Sequence, residues 1–261
     1  LFQEDLAAYF GINPEALALA SSGRTALYCL LQGLKSKQSS RSQIIMPAYT
    51  CPAVARVAID LELKPIFVDL SPQTMRYDLE QLAAAVNDNT LAVVLVHPFS
   101  IPLPVDDTTI LAHDVGAVII EDAAQAMGAR WDGRPVGTRG DFGLFSLGPG
   151  KPISTGGGGI AIANRPDAIP TLNSGWATLP TPGSFGSAQA WMRQVAFQLA
   201  FHPRGWWAAT QAGLHRVGNH EASWGYSLTK LTTAQAGIGH ALLPRLDEIN
   251  TDRRRHAEIL T

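Results

Sequence analysis

Cysteine is scarce in this chain: Cys29 and Cys51 are the only two among 261 residues. Two thiols build no disulfide framework, and neither stands in a CxxC or Cys/His spacing suited to a metal, so a reducing, cytoplasmic setting is the simple expectation. A surplus of either charge is also missing. The 20 basic and 22 acidic residues are interspersed with a formal net charge of -2, which leaves no electropositive face for nucleic acid. The run Arg253-Arg254-Arg255 is too short to change that and reads as a solvated helix end. No apolar stretch reaches the roughly 18 to 20 uninterrupted residues of a membrane span. The nearest, Trp191 to Ala209, is broken by Arg193, His202, Pro203 and Arg204. It reads first as a buried or interface helix, and second as an interfacial membrane helix. Internal repeats and low-complexity tracts are absent. The opening Leu1-Phe2-Gln3-Glu4-Asp5 has no initiator methionine and no signal-peptide pattern, so the chain is expected to be a piece of something longer.

What is present is apolar and rhythmic. A hydrophobic content of 46% can fill a large core. Short β-rich runs (Gln43 to Met46, Pro65 to Val68, Leu91 to Val96, Ala117 to Ile120, Phe142 to Phe145, Gly159 to Ala163) alternate with helical windows. Those windows are Thr25 to Leu34, Pro52 to Leu61, Leu79 to Val86 and Asp106 to Val115. Such alternation predicts an α/β fold, a mostly parallel sheet covered by helices on both faces. In that class ligands gather at the carboxyl edge of the strands, which makes Asp69, His97 and Asp122 site candidates by position. From Trp176 to Trp224 the rhythm stops and Pro, Gly and Trp become frequent, as in a helical insertion or a subunit contact. A regular helix is expected to resume near Thr229 and to run through Ala234, Ile238, Leu242 and Leu246.

Three segments carry chemistry. Ser21-Ser22-Gly23-Arg24-Thr25 precedes a helical window. The unbonded first amides of a helix, with its dipole, make an anion site there, although a plain N-cap has the same appearance. Asp122 closes an apolar strand inside Glu121-Asp122-Ala123-Ala124-Gln125-Ala126, where a carboxylate needs a positive or hydrogen-bonding partner. Lys151 lies five residues after Ser146 in a turn containing Gly148, Pro149, Gly150 and Pro152, ahead of the run Gly156 to Gly159. That turn can be neither regular helix nor strand. A buried acid for a ring nitrogen and a caged lysine for an aldehyde are together what pyridoxal 5'-phosphate requires. Gln125 could then donate to the ring hydroxyl or pack on the ring, and Ser146 could bind the phosphate.

Taken in order from Ala20 to Leu246, these segments resemble the DegT/StrS family of sugar aminotransferases, of the aspartate aminotransferase superfamily. The likeness rests on Ser21 to Leu27, Met46 to Thr50, Lys64 to Leu70, Glu121 to Ala126, Gly133 to Ser146, the lysine loop, the glycine run and the last helix. It implies the large domain of fold-type-I enzymes, with a seven-stranded sheet, over residues 1–250, including a Trp-rich helical insertion over 176–224. Residues 251–261 would begin a small C-terminal domain that is otherwise missing. It implies Lys151 as the lysine that holds the cofactor and Asp122 as the partner of the ring nitrogen. Gln125 becomes a cofactor contact, and Ser146 with Gly23, Arg24 and Thr25 the phosphate ligands. A homodimer is implied as well, with the Trp-rich segment as a contact surface. Two positions depart from the family. Cys51 stands where an aromatic ring normally stacks on the cofactor, leaving Tyr49 as the available ring. Lys230 stands where an Asn or Arg reaches the neighbouring subunit's phosphate, a charge without the bidentate fork.

The implied reaction is amino transfer from glutamate to a nucleotide-linked keto-sugar in polysaccharide or glycoconjugate synthesis. Retention of Lys151 favours it over a sibling dehydratase, in which histidine replaces the lysine. A non-catalytic relative acting as a binding or regulatory protein is the alternative, supported by Cys51. A Rossmann dehydrogenase is disfavoured because no G-x-G-x-x-G follows the first strand. His97 and His113 lack neighbours for a tetrahedral metal set and read as packing histidines.

Overall fold

The computed structural model describes residues 1–202, 205, 207, 211 and 226–260. Its centre is a seven-stranded sheet in the order β1-β9-β8-β5-β4-β2-β3. The strands are β1 (Leu17–Ala20), β2 (Gln43–Pro47), β3 (Lys64–Val68), β4 (Thr90–Val96), β5 (Val118–Asp122), β8 (Phe142–Ser146) and β9 (Gly159–Ala163), while β6 (Arg130–Trp131) and β7 (Arg134–Pro135) form a separate hairpin. All neighbouring pairs are parallel except the two that β9 makes, with β1 and with β8. Only β9 therefore runs against the rest. The carboxyl ends of β1, β2, β4, β5 and β8 share one edge.

The central strands are apolar on both faces because helices cover both. Along β2, Ile44 and Met46 join a core built with Leu27, Leu30 and Leu34 of α2 (Gly23–Lys37) and Val54 and Val57 of α3 (Pro52–Asp60). Ile45 points the other way, to Leu82 of α4 (Leu79–Ala85) and Ala112 of α5 (Asp106–Asp114). At the far end of the sheet Leu17, Phe145 and Ile160 pack on Phe2 and Leu6 of α1 (Phe2–Phe10). The exposed edge β3 carries Lys64 and Pro65, residues that discourage further strand pairing. Helix α6 (Ile169–Ala177) lies close on α2, and a Cβ on Gly175 would collide with the Cys29 carbonyl.

The expected strands and helices fold within a few residues of the predicted bounds. Elements α1, β1, α6 and the β6–β7 hairpin lay outside the pattern. The helix expected from Thr229 begins four residues later, as α8 (Thr233–Leu242), behind a capping box of Thr232 and Gln235. Residues 229–231 are extended instead: Ser21 N–H donates to Thr229 O (2.9 Å) and Leu231 N–H to Leu19 O (3.1 Å). Nor does that helix run unbroken to Leu246. Pro244, which has no N–H, sits in a 3₁₀ turn over Leu243–Arg245 before α9 (Leu246–Leu260). In the Trp-rich region α7 spans Ser184–Phe201, with Trp191, Met192, Val195 and Leu199 exposed. Of the two expectations for this segment, a buried or an interface helix, these exposed side chains leave the interface form; the rest of the segment, to residue 225, lies largely outside the described residues.

Candidate cofactor site

Asp122 ends β5 and is only 6% exposed. Its Oδ1 accepts the Ala124 N–H at 3.0 Å. Burial pushes its carboxyl above the ordinary range; the Ala124 hydrogen bond and the positive charge of Lys151 pull it back without cancelling the rise. Lys151 is thus an electrostatic neighbour of Asp122. The lysine turn is tied down at two points: Lys151 N–H donates to Gly148 O (3.3 Å), and Arg253 of α9 donates to Gly150 O (3.4 Å).

A second cluster forms where α2 begins. Ser22 caps the helix, its Oγ accepting the Thr25 N–H at 3.1 Å. Ser146, at the end of β8, lies against the first turn: a Cβ on Gly23 would come within 3.2 Å of Ser146 Cβ. Gly148 N–H donates to Ser146 Oγ (3.3 Å). Gly159 must be glycine, since any Cβ would strike Ser22 O and Gly23 N. The arrangement is a helix N-terminus walled by hydroxyls, which suits a phosphate. Thr25 is fully buried, with its hydroxyl donating to Ser227 O (2.8 Å), so it shapes the turn from inside. Arg24 places its guanidinium 5.4 Å from the Tyr226 ring centroid. Lys230 pairs with Ala20 beside this turn, but its Nζ rests 3.8 Å from the Trp176 ring centroid, a cation–π contact within the chain.

Gln125 anchors a third group. Its Oε1 accepts the Phe99 N–H at 3.0 Å, and Ser100 Oγ donates to its backbone oxygen. Phe99 and Ser100 are both left-handed (φ 54° and 65°), a cost that non-glycine residues bear where surrounding contacts impose it. The Phe99 ring centroid lies 6.1 Å from that of Tyr49, and both side chains are more than half exposed. Cys51 is exposed at the N-cap of α3 and contributes no ring.

Sequence reasoning gave Glu121 no role. It faces the opposite side of β5 from Asp122, fully buried, and accepts four hydrogen bonds: Arg139 N (2.5 Å) and Gly140 N (2.5 Å) on Oε1, Gly137 N (2.8 Å) and His97 Nε2 (3.0 Å) on Oε2. Leu103 N–H donates to His97 Nδ1 (3.1 Å), which leaves the imidazole proton on Nε2 to meet Glu121. The pair joins the segment before β8 to the turn that carries Phe99. His113 is likewise paired, with Asp141 at 2.9 Å. Two clefts, of about 230 and 250 Å³, lie elsewhere, one flanking β4 near Arg76 and Asp107, the other beside Asp141 and Arg165. Asp122, with Lys151 as its electrostatic neighbour, and Ser146, against the first turn of α2, lie at the carboxyl ends of β5 and β8 and line neither cleft.

A model of the DegT/DnrJ/EryC1/StrS aminotransferase family matches residues 1–261. The chain belongs to that family. Over 266 aligned positions it is 35% identical to the L-glutamine:2-deoxy-scyllo-inosose aminotransferase of Streptoalloteichus tenebrarius, covering 99% of this chain and 54% of that protein. The GDP-perosamine synthase of Vibrio cholerae is 26% identical over 239 positions, covering 92% of this chain and 55% of its own length. Among solved structures, DesI in the presence of its TDP-sugar product superposes with a TM-score of 0.69 at 26% identity, over 98% of this chain and 55% of that one. The chain therefore spans about half the length of these relatives. In this family setting the seven-stranded sheet is that of the sugar aminotransferases.

The electrostatics of Asp122 lead to a measurable result. With the folded-state carboxyl raised, the folded protein keeps its proton to higher pH than the unfolded chain, so stability falls as pH rises between the two values. Asp122→Asn removes that cost while keeping an oxygen for Ala124 N–H. Cofactor-free Asp122→Asn protein is expected to be about 1 kcal/mol more stable at pH 7 in thermal melts, with the gain shrinking toward pH 4. Equal or lower stability at pH 7 would contradict the assignment of a buried, strained carboxylate.

Proposed function

We propose that this chain is the cofactor-binding part of a pyridoxal 5'-phosphate-dependent aminotransferase that moves an amino group from glutamate to a nucleotide-linked keto-sugar. Its place is polysaccharide or glycoconjugate synthesis in the cytoplasm, and its form a homodimer. The observation that carries the reading is Asp122: a buried carboxylate whose burial is incompletely compensated, beside the one lysine held in a glycine-proline turn. A cationic ring nitrogen supplies the missing compensation, and a phosphate fits the cradle of Ser22, Gly23 and Ser146. The residues present therefore fit the group.

The cofactor, when bound, supplies a ring that withdraws electrons from the carbon losing its proton. Asp122 would keep a proton on the ring nitrogen and so hold the ring cationic. The Lys151 amine would hold the cofactor aldehyde, and the same amine, when free, would hold and move a proton at its Nζ. Gln125 steadies the Phe99 turn and would contact the cofactor. Lys230, whose ammonium lies on the Trp176 ring, would have to leave that contact to add positive charge for the phosphate of a neighbouring subunit.

Full-length protein loaded with cofactor is expected to transfer nitrogen to a nucleotide-linked keto-sugar, measured by product mass with glutamate and glutamine donors in parallel. The Streptoalloteichus relative names glutamine, so preference for that donor would revise the donor alone. A relative that holds the cofactor without turnover is the second reading, favoured by the ringless Cys51. Cofactor absorbance with no transfer from either donor to a panel of keto-sugars would establish it.

A further inference from the structure

Gln125 is held by its neighbours in one orientation. Three hydrogen bonds run from the segment after β4 to the turn after β5: His97 N–H to Asp122 O (3.0 Å), Phe99 N–H to Gln125 Oε1 (3.0 Å) and Ser100 Oγ to Gln125 O. The segment is itself closed, since Leu103 N–H returns to His97 Nδ1 at 3.1 Å and Ile101 N–H to Pro98 O at 2.8 Å. So is the turn: Ala124 N–H donates to Asp122 Oδ1 (3.0 Å) and Ala126 N–H to Ala123 O (2.9 Å). Asp122 and Gln125 therefore stand on one short, braced turn.

A backbone N–H can only donate, so the Gln125 atom that meets Phe99 must be its oxygen. Turning the amide over would set its NH₂ against that N–H, two donors with no acceptor between them. The Nε2 is left over. Among the described residues no group accepts from it, and the side chain is exposed at the carboxyl edge of the sheet, three residues from Asp122. The backbone strain sits where it fixes this choice, at Phe99 (φ 54°) and Ser100 (φ 65°). The Ser100 hydroxyl supplies one of the two bonds that tie this left-handed pair to Gln125.

We propose that Ser100 is a positioning residue: with the Phe99 amide it locks Gln125 so that this side chain serves the site as a donor only, through Nε2. The role rests on the cofactor reading and adds to it the direction of one hydrogen bond. A fixed neutral donor beside Asp122 fits an oxygen that carries negative charge, which on the cofactor is the deprotonated ring hydroxyl. A donor there stabilises the deprotonated form and so lowers the pH at which the bound cofactor loses its proton. A Gln125 that merely packs on the ring would leave that pH where it is.

Two measurements on the full-length protein test it, the first without cofactor. Ser100→Ala removes the hydroxyl and keeps the Cβ, and the Phe99 amide is expected to exchange its hydrogen at least about tenfold faster in this variant than in native protein. Equal rates would overturn the lock. The second follows the absorbance of bound pyridoxal 5'-phosphate against pH. Gln125→Met, a side chain of similar length that packs without donating, should raise the midpoint by about one unit, and Ser100→Ala should raise it by about half a unit with the cofactor still bound. An unmoved midpoint in Gln125→Met overturns the donor role, and a midpoint moved in Gln125→Met alone overturns the assignment of Ser100. Native protein that takes up no cofactor would sink the cofactor reading and the donor role with it, while the exchange rates would still decide the lock.

Discussion

Replacing Lys151 by methionine is expected to lower amine transfer by at least about 10³-fold, because one substitution removes both the group that holds the cofactor aldehyde and the base that moves the proton. Stability should barely change, since the turn around Lys151 is held by backbone contacts with Gly148 and by Arg253. Activity and fold therefore separate at this position. Loss of transfer with an unchanged thermal midpoint is the predicted pair of observations. Comparable turnover in the variant would remove Lys151 from the chemistry. A fall in both would instead make it a structural residue of the turn.

Replacing Glu121 by glutamine should have the opposite profile, a large loss of stability first and of function second. The carboxylate accepts from Arg139 N, Gly140 N, Gly137 N and His97 Nε2, two donors on each oxygen. An amide has a single acceptor oxygen, so its NH₂ must face two buried donors in either orientation. The expected cost is about 3 kcal/mol, read from the urea midpoint. Burial by itself would raise this carboxyl; the hydrogen bonds from His97, Gly140 and Gly137 outweigh it and leave the group below its usual range. Its stabilisation is accordingly complete above the unfolded carboxyl value of about 4.3 and disappears as pH falls through the lower folded-state value. Glu121→Gln should flatten the acid limb of the stability curve; an unchanged acid limb or a cost below about 1 kcal/mol would show that the pair contributes little.

Asp122 and Glu121 show how far the sequence could be read. Asp122 was legible because a carboxylate at the end of an apolar strand, with a caged lysine downstream, has few explanations. Glu121 is one residue away on the opposite face of β5, and its partners come from His97 and from residues 137–140, which no local pattern joins. Strand alternation announces that the two acids part company; it does not say what the inner one meets. The sheet was legible for the same reason as Asp122, since buried parallel strands are uniformly apolar. β1 escaped because Leu17-Ala18-Leu19-Ala20 has no β-branched residue, and α1 because most of what its apolar face meets, such as Phe145, Ile160, Leu243 and Leu246, lies far along the chain. The Phe99–Ser100 turn was invisible, as neither residue favours left-handed backbone and only Gln125 explains it. The contact of Lys230 with Trp176 depends on residues 54 positions apart meeting in space, which no local pattern announces.

The measurement closest to the central claim is chemical. Protein incubated with pyridoxal 5'-phosphate, reduced with borohydride, digested and weighed by mass spectrometry should carry the reduced cofactor on one peptide, the one containing Lys151, and Asp122→Asn should weaken that loading at limiting cofactor. Label spread over surface lysines, or a native protein that retains none, would contradict the account.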